Sequence, residues 1–390
     1  MGLSSLHFDV VIIGGGLVGA SLAAALKSSG LEVALLEKQP AATQAAGWDS
    51  RIYAISPGNA AFLAECDAWQ HLDMSRVQPV SAMRVFGDTG AELDFSAYQI
   101  GAPELNFIIE NRLLQQALWQ QLQQQENLTL FLQGQSSSIE WLSDSAQLTL
   151  DDGRVLHAKL IVGADGRDSW VRQQAGIEAK VSAYQQDGVV ANFQVEKPHR
   201  GTAFQWFQTD GILALLPLPQ QMVSMVWSLS PTKSAELLAL TPVALCAQVA
   251  AASQQTLGEL KLVTPPAAFP LRLMKLAHII APRLVLVGDA AHNVHPLSGQ
   301  GVNLGFRDAR ELAKVLNDRG AQTDCGEAHL LRRYERARKE DIAAMQLSTN
   351  ALKHLFNNSN PLLRRLRNVG LTLTNRITPL KKILAQHALN

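Results

Sequence analysis

The chain has 390 residues, of which 47% are hydrophobic and 17% charged, a composition typical of globular proteins and not of disordered or fibrous ones. Lys and Arg together number 34, as do Asp and Glu, and this zero net charge gives no electrostatic case for nucleic-acid binding. Three widely separated cysteines, Cys66, Cys246 and Cys325, indicate neither a disulfide framework nor a zinc site. The apolar run at residues 10–13 is too short for a signal peptide or a membrane span, so we expect a cytoplasmic protein.

The first 40 residues predict a β-α-β unit with a glycine-rich turn. Residues 9–13 form an apolar, β-branched run, which is typical of a parallel strand covered on both faces. A helix rich in Ala and Leu is predicted over residues 17–27, and a second strand over residues 32–36. Between the first strand and the helix, residues 14–19 have the spacing G-x-G-x-x-G, which in this position is typical of a dinucleotide-binding turn.

Each glycine of this turn has its own expected role. Gly14 permits the tight turn, Gly16 lets a pyrophosphate approach the backbone, and Gly19 lets the helix pack closely on the strand. The helix N-terminus adds N–H donors and a partial positive charge for the phosphates. Glu37 ends the second strand, where its carboxylate can accept hydrogen bonds from a ribose 2′-OH. The pattern predicts a bound dinucleotide and leaves open whether it is FAD or NAD.

The middle of the chain has a different pattern. Two buried strands, at residues 160–162 and 284–287, each end in a glycine turn that contains an aspartate. Between residues 181 and 270, short apolar segments separated by Pro, Gly and polar residues predict an antiparallel sheet inserted into the α/β domain. A Gln-rich stretch at residues 113–125 has leucines at i, i+4 and i+8, which predicts an amphipathic helix. We expect the aromatic residues of the inserted sheet to lie in its core rather than in a pocket wall; they are Phe204, Trp206, Phe207 and Trp227.

The C-terminal part is predicted to be helical and basic. Residues 342–390 contain seven Lys and Arg and no Asp or Glu, so this segment carries +7 and residues 1–341 sum to −7. On a helix that starts at Leu362, apolar residues occupy one arc and Arg364, Arg365 and Arg367 the other. This pattern is typical of an interfacial helix, and a terminal helix with a basic solvent face fits it equally well.

Two longer motifs carry a family resemblance. Residues 163–172 read GADGRDSWVR, and residues 288–309 read GDAAHNVHPLSGQGVNLGFRDA. Together with the first glycine turn, they resemble the group A FAD-dependent aromatic monooxygenases, which are similar to para-hydroxybenzoate hydroxylase. Within that family the chain looks most like the hydroxylases of ubiquinone biosynthesis, which add OH groups to a polyprenylated aromatic ring.

The resemblance implies an α/β fold with a Rossmann-like FAD-binding domain, an inserted antiparallel-sheet substrate domain and C-terminal helices. We expect the discontinuous FAD-binding domain to comprise residues 1–75, 105–180 and 277–330. The substrate domain is expected over residues 76–104 and 181–276, and the C-terminal helical region over residues 331–390.

The resemblance also implies roles for individual residues. Asp289 would hold the ribityl chain of FAD, and Asp165 and Gly166 would lie where both FAD and the reduced nicotinamide cofactor pass. Arg51 and Arg112 match arginines near the flavin and its phosphates. The loop past the flavin ring would contain Pro296, Gln300 and Gly301 as the catalytic segment, with no protein base assigned. The expected cofactor-binding set is Gly14, Gly16, Gly19, Glu37, Arg51, Arg112, Asp165, Gly166, Asp289, Gly299, Gly301 and Asn303.

The implied reaction is hydroxylation of the ring of a polyprenylated phenol or quinol, with bound FAD, NADH or NADPH as reductant, and O₂. In the family, oxygen is transferred from a hydroperoxide at flavin carbon C4a. Because such a substrate is insoluble in water, we expect a peripheral position at the inner face of the membrane. Residues 342–390 would contact the membrane surface or other proteins of ubiquinone biosynthesis.

Two other functions stay open at this point. One is hydroxylation of a small soluble phenol, and the other is a non-catalytic FAD-type fold that binds isoprenoids. The glycines retained at all three motifs argue against the second. His292 and His295 stand at i, i+3 with no Asp, Glu or Cys at ligand spacing, so we expect no metal.

Overall fold

The computed structural model describes residues 5–39, 47–87, 90–132, 134–208, 211–293, 300–320 and 322–356. The strands, in chain order, are β1 (Ser5–Ile13), β2 (Val33–Glu37), β3 (Ile52–Ile55), β4 (Gln78–Val80), β5 (Ala82–Phe86), β6 (Glu92–Ser96), β7 (Asn106–Glu110), β8 (Leu128–Leu132), β9 (Ser136–Trp141), β10 (Ala146–Leu150), β11 (Val155–Gly163), β12 (Ala179–Val195), β13 (Thr202–Gln208), β14 (Gly211–Leu218), β15 (Met222–Leu229), β16 (Leu260–Leu262), β17 (Ala267–Leu276), β18 (Ile280–Ala281) and β19 (Leu284–Leu286). The helices are α1 (Leu17–Ala25), α2 (Pro57–Glu65), α3 (Ala97–Ile100), α4 (Asn111–Leu122), α5 (Trp170–Gln174), α6 (Pro231–Leu238), α7 (Pro242–Ala252), α8 (Gln300–Asn317) and α9 (Ala328–Phe356).

The first sheet is the predicted dinucleotide-binding sheet. Its strands have the order β18-β19-β11-β1-β2-β8, and β1 pairs in parallel with both β2 and β11. The apolar residues of β1, β2 and β11 are almost fully buried; helix α1 packs on β1 and β2, and helices α4 and α8 pack on α1. Parallel strands end at the same edge of a sheet, so the turns after β1, β11 and β19 are neighbours.

The second sheet is the inserted one. Its order is β16-β12-β15-β14-β13-β5-β6, with β17 also paired to β12. Neighbouring strands are antiparallel except for β13 and β5, which are parallel. The alternation of side chains gives the sheet two faces. On β14, Leu213 and Leu215 pack into the core, whereas Ile212, Ala214 and Leu216 line a cavity on the opposite face.

A third sheet has the order β3-β7-β4, and its strands β4 and β7 contact β14 of the second sheet. The α/β fold with an inserted antiparallel sheet is therefore confirmed. The predicted domain boundaries stay a prediction. The pairing of β5 with both β6 and β13 supports them, whereas β4 pairs with β7, across the predicted boundary at residue 105.

The expected sheet core is present in the inserted sheet. Trp206 and Trp227 are buried among its apolar residues, and Phe204 stacks on Trp206 with ring centroids 5.8 Å apart. Phe204 differs from the expectation because it also lines the cavity. Phe207 packs in a separate small cluster.

The amphipathic helix α4 buries Leu114, Leu118 and Leu122, as the spacing of these leucines predicts.

The C-terminal part includes the long helix α9, which packs on α8. In the part of the chain that the structure describes, no helix is both long and apolar enough to cross a membrane. The predicted basic interfacial helix, from Leu362 with Arg364, Arg365 and Arg367, lies outside the described residues.

Candidate active site

A cavity of about 1000 Å³ lies between the edge of the first sheet and the open face of the inserted sheet. Residues from all three predicted motifs line it, although the motifs are far apart in the chain. They are Gly16 of the first motif, Asp165 and Gly166 of the second, and Asp289 and Gly301 of the third. The structure thus brings part of the predicted cofactor-binding set to one place.

The glycine turn after β1 is built by close backbone approach. Gly14 has φ +108°, and a Cβ there would lie 2.4 Å from the carbonyl oxygen of Ala164. A Cβ on Gly19 would lie 1.9 Å from the Gly14 carbonyl oxygen, so α1 can sit this close only with glycine. A Cβ on Gly16 would meet no atom of the described residues within 4 Å. Gly16, at the N-cap of α1, therefore faces open space that an anionic group can enter.

Glu37 holds this turn from the end of β2. Its Oε2 accepts the Gly15 N–H at 2.7 Å, and its Oε1 accepts the Gln39 N–H at 3.0 Å. The Trp119 indole donates to the Gly15 carbonyl at 3.0 Å from the other side. A carboxylate has about four acceptor sites, so these bonds leave room for a ribose hydroxyl. The ribose contact of Glu37 stays a prediction, and the role of Trp119 has no signal in the sequence.

Asp165 has one carboxylate oxygen in use and one free. Its Oδ2 accepts the Val171 N–H at 3.0 Å in the first turn of α5. Its Oδ1 is buried and has no hydrogen-bond partner within the described ranges. A buried oxygen without a donor is costly unless a ligand supplies one. Asp165 therefore fits a site that is completed by hydroxyl groups of a bound cofactor.

The second and third motifs are tied together by Arg172. Its guanidinium donates to the carbonyl of Ala290 at 3.0 Å and to that of Arg167 at 3.2 Å. Arg172 is only 6% exposed, so these bonds lie in the interior. The turns that carry Asp165 and Asp289 are thereby fixed relative to each other.

The third motif forms a single 3₁₀ turn over Gly288–Ala290, in which Asp289 is exposed to the cavity. Asp308 of α8 contacts this turn through its carboxylate. Its Oδ2 accepts the Gly288 N–H at 2.9 Å and lies 2.6 Å from His292 Nε2, and its Oδ1 accepts Arg338 Nε at 2.7 Å. Complete burial raises the pKa of Asp308, but His292 and Arg338 outweigh burial and hold that pKa below its ordinary value. His292 thus lies against the Asp308 carboxylate, and no cluster of three metal-ligating side chains occurs among the described residues.

Asn303 is not among the residues that line the cavity, and its cofactor contact stays a prediction. Its side chain is fully buried, accepts the Ser56 N–H at 3.0 Å and the Asn59 amide at 2.9 Å, and donates to the Ala54 carbonyl at 2.7 Å. These bonds connect α8 to the end of β3 and to the start of α2.

The two predicted arginines are placed differently. Arg51 is exposed and lines the cavity. Arg112 does not line the cavity: its guanidinium donates to the Gly47 carbonyl at 3.1 Å and lies 3.8 Å from Asp49. Cofactor contact of Arg112 stays a prediction.

The loop expected at the flavin ring is described only in part. Pro296, Gly299 and His295 lie outside the described residues. Gln300 begins α8, and Gly301 lines the cavity with open space at its Cβ position.

The opposite wall of the cavity is apolar with a few polar groups. Among the residues that line it, those from the inserted sheet include Phe204, Gln205, Ile212, Ala214, Leu216, Val226 and Ser228. Tyr53 of β3 lies at the junction of the two walls, and sequence reasoning gave it no role. Burial raises the pKa of Tyr53, and although Arg51 opposes this, Asp289 and Asp49 raise it further, so the phenol stays neutral at physiological pH.

Comparison with known proteins agrees with this geometry. The profile of the FAD binding domain family matches residues 7–349. The chain is 36% identical over 386 residues to 3-demethoxyubiquinol 3-hydroxylase of Escherichia coli strain K12, covering 98% of each protein. The chain belongs to the family of FAD-dependent ubiquinone hydroxylases. This FAD-dependent hydroxylase is also 35% identical to ubiquinone hydroxylase UbiL of Rhodospirillum rubrum, covering 98% of this chain and 89% of that one.

A solved structure shares the fold. The p-nitrophenol 4-monooxygenase PnpA of Pseudomonas putida DLL-E4 superposes on the hydroxylase with a TM-score of 0.80 and 18% identity, covering 99% of each chain. The family resemblance stated from the three motifs is confirmed, as is FAD as the cofactor. The open space at Gly16 and the unpartnered oxygen of Asp165 show that the residues present fit this cofactor.

Proposed function

We propose that this hydroxylase adds an OH group to the aromatic ring of a polyprenylated phenol or quinol, with NADH or NADPH as reductant and O₂ as oxidant. The observation that carries the proposal is the cavity, in which an edge that fits FAD faces an apolar wall. The names of the relatives from Escherichia coli and Rhodospirillum rubrum support ubiquinone precursors as the substrate class.

We assign the cofactor to the residues of the first wall. Gly16 and the N-terminus of α1 would receive the pyrophosphate, Glu37 a ribose hydroxyl, and Asp165 and Asp289 further sugar hydroxyls. When bound, FAD supplies the redox chemistry, because it accepts a hydride from the nicotinamide and activates O₂.

The protein itself contributes binding, exclusion of water and control of protons. The apolar face formed by Ile212, Ala214, Leu216 and Val226 would cover an aromatic ring and keep water from it. Tyr53, which remains protonated, is positioned to donate a hydrogen bond to a polar group within the cavity. Among the described residues the inserted-sheet wall contains no Asp, Glu or His, so none of these side chains serves there as a general base.

We further propose that the enzyme works at a membrane surface. The support is the charge of residues 342–390, which contain seven bases and no acid, together with the water-insolubility of a polyprenylated substrate. Contact with other proteins through the same segment is the alternative role.

A substrate series tests the substrate class. The purified enzyme with FAD would be supplied with phenols that carry no, one, two or three prenyl units, and with small phenols that dissolve in water. We expect hydroxylated product, measured by mass spectrometry, to increase with the prenyl chain, and NAD(P)H oxidation to be coupled to it. Equal or better coupled turnover of short soluble phenols would contradict the proposal and favour a small-phenol hydroxylase.

A further inference from the structure

We propose that Asp308 is a positioning residue of the FAD site and that Arg338 of α9 is the counter-charge on which its action depends. The C-terminal helix would then be part of the cofactor site, although it does not line the cavity. This inference rests on FAD binding and not on the identity of the aromatic substrate.

The Asp308 carboxylate holds the turn that carries Asp289. Its Oδ2 contacts both ends of the segment that carries Asp289, because it accepts the Gly288 N–H at 2.9 Å and lies 2.6 Å from His292 Nε2. That segment is one 3₁₀ turn with a single isolated bridge, between Met274 and Asn293. Few backbone hydrogen bonds hold a turn this short, so the side-chain bonds of Asp308, together with that of Arg172 to Ala290, help to determine where Asp289 stands.

Asp308 lies within α8. The same helix begins with Gln300 and Gly301, and Gly301 lines the cavity. Asp308 therefore connects the Asp289 turn to the helix whose start lies at the cavity. A change at Asp308 would move these two parts of the cofactor site relative to each other.

The charges of Asp308 and Arg338 are both buried. Asp308 is 0% exposed and Arg338 is 5% exposed, so neither ion is screened by water. Arg338 Nε donates to Asp308 Oδ1 at 2.7 Å, and its Nη1 lies 2.7 Å from Asp341, which in turn pairs with Arg307 at 2.9 Å. Removing one partner of a buried ion pair leaves the other uncompensated, and the remaining charge must rearrange or take up a proton. Without Arg338, only His292 would remain, among the described residues, as a side-chain partner of Asp308, and we expect the carboxylate to lose the arrangement that holds the turn.

The test compares three substitutions on one helix. The variants are Arg338→Met, Arg338→Lys and, as a control, Arg333→Met, which changes an exposed arginine of α9. The apo forms of the full chain are titrated with FAD, and the visible spectrum of the bound flavin is recorded. We expect the Kd for FAD to rise about tenfold or more in Arg338→Met with a shifted spectrum, and to stay within about threefold of wild type in the other two.

A second pair of variants covers the case in which Arg338→Met does not fold. His292→Leu removes the donor to Asp308, whereas His292→Gln keeps an N–H donor of similar reach. We expect the FAD Kd to rise about fivefold or more in His292→Leu and to stay near wild type in His292→Gln. Folded His292→Leu, or folded Arg338→Met, with the wild-type Kd and spectrum would overturn the inference. The titration contains no aromatic substrate, so its result is separate from that of the substrate series.

Discussion

The two glycines at the start of α1 give opposite predictions for the same kind of change. In Gly16→Val, the added side chain meets no atom of the described residues within 4 Å at Cβ, and the backbone at φ −67° and ψ −175° suits valine. The stability of the apo form should therefore change by no more than about 0.5 kcal/mol. The new side chain would occupy the space into which the pyrophosphate enters. Loss of two hydrogen bonds to a charged group, at about 1.5 kcal/mol or more each, would weaken FAD binding about 100-fold or more.

Gly19→Ala should instead destabilise the apo form itself. Its Cβ would lie 1.9 Å from the Gly14 carbonyl oxygen, against 3.4 Å or more for an ordinary contact, so α1 must move off β1. Overpacking of this kind costs about 1–3 kcal/mol or more, and the apo form itself should unfold earlier. Thermal unfolding of both apo forms, followed by fluorescence titration with FAD, measures the two effects separately. A Gly16→Val protein that bound FAD as wild type does would refute the placement of the pyrophosphate at this turn.

Four further predictions concern other parts of the molecule. Asp165→Ala should weaken FAD binding, with a loss of about 1–3 kcal/mol in a titration, and unchanged affinity would exclude Asp165 from the site. Because the pKa of Asp308 is lowered in the folded state, its stabilisation is present above the ordinary Asp pKa of about 4 and is lost as the pH falls below it. The difference in unfolding free energy between wild type and Asp308→Asn should thus shrink below about pH 4, and a constant difference would contradict this. Elemental analysis should find no equimolar metal, and near-stoichiometric zinc or iron would show that His292 has another role. The full chain should co-sediment with liposomes that contain anionic lipid at low salt, and a smaller fraction should do so at high salt. If binding is absent, or is unchanged after neutralisation of the basic helix, this would argue against a membrane role for Arg364, Arg365 and Arg367.

The convergence of the three motifs was predictable because it follows from the topology. Each motif starts where a buried apolar run ends, and parallel strands bring their carboxyl ends to one edge. Gly16, Asp165 and Asp289 accordingly line one cavity. The amphipathic period of α4 was also predictable, since burial on one face of a helix imposes a period on the sequence.

Other features had no local signal. The first half of β12 is largely exposed and has no apolar run, yet pairing with β17 extends the strand back to Ala179. Asn303 lies in a cofactor motif, but the direction of its side chain depends on the distant segment at Ala54. Arg338 is one of several bases on α9, and only the tertiary structure shows that it, unlike exposed Arg333, faces Asp308.

Turnover under ¹⁸O₂ tests the central claim, that this chain is an FAD-dependent hydroxylase of a prenylated ring, most directly. The enzyme with FAD, NAD(P)H and a prenylated phenol should place one ¹⁸O atom in the ring for about each NAD(P)H oxidised, as measured by mass spectrometry of the product. Oxidation of NAD(P)H that yields only hydrogen peroxide, or product without ¹⁸O from the folded and flavin-loaded enzyme, would contradict the claim.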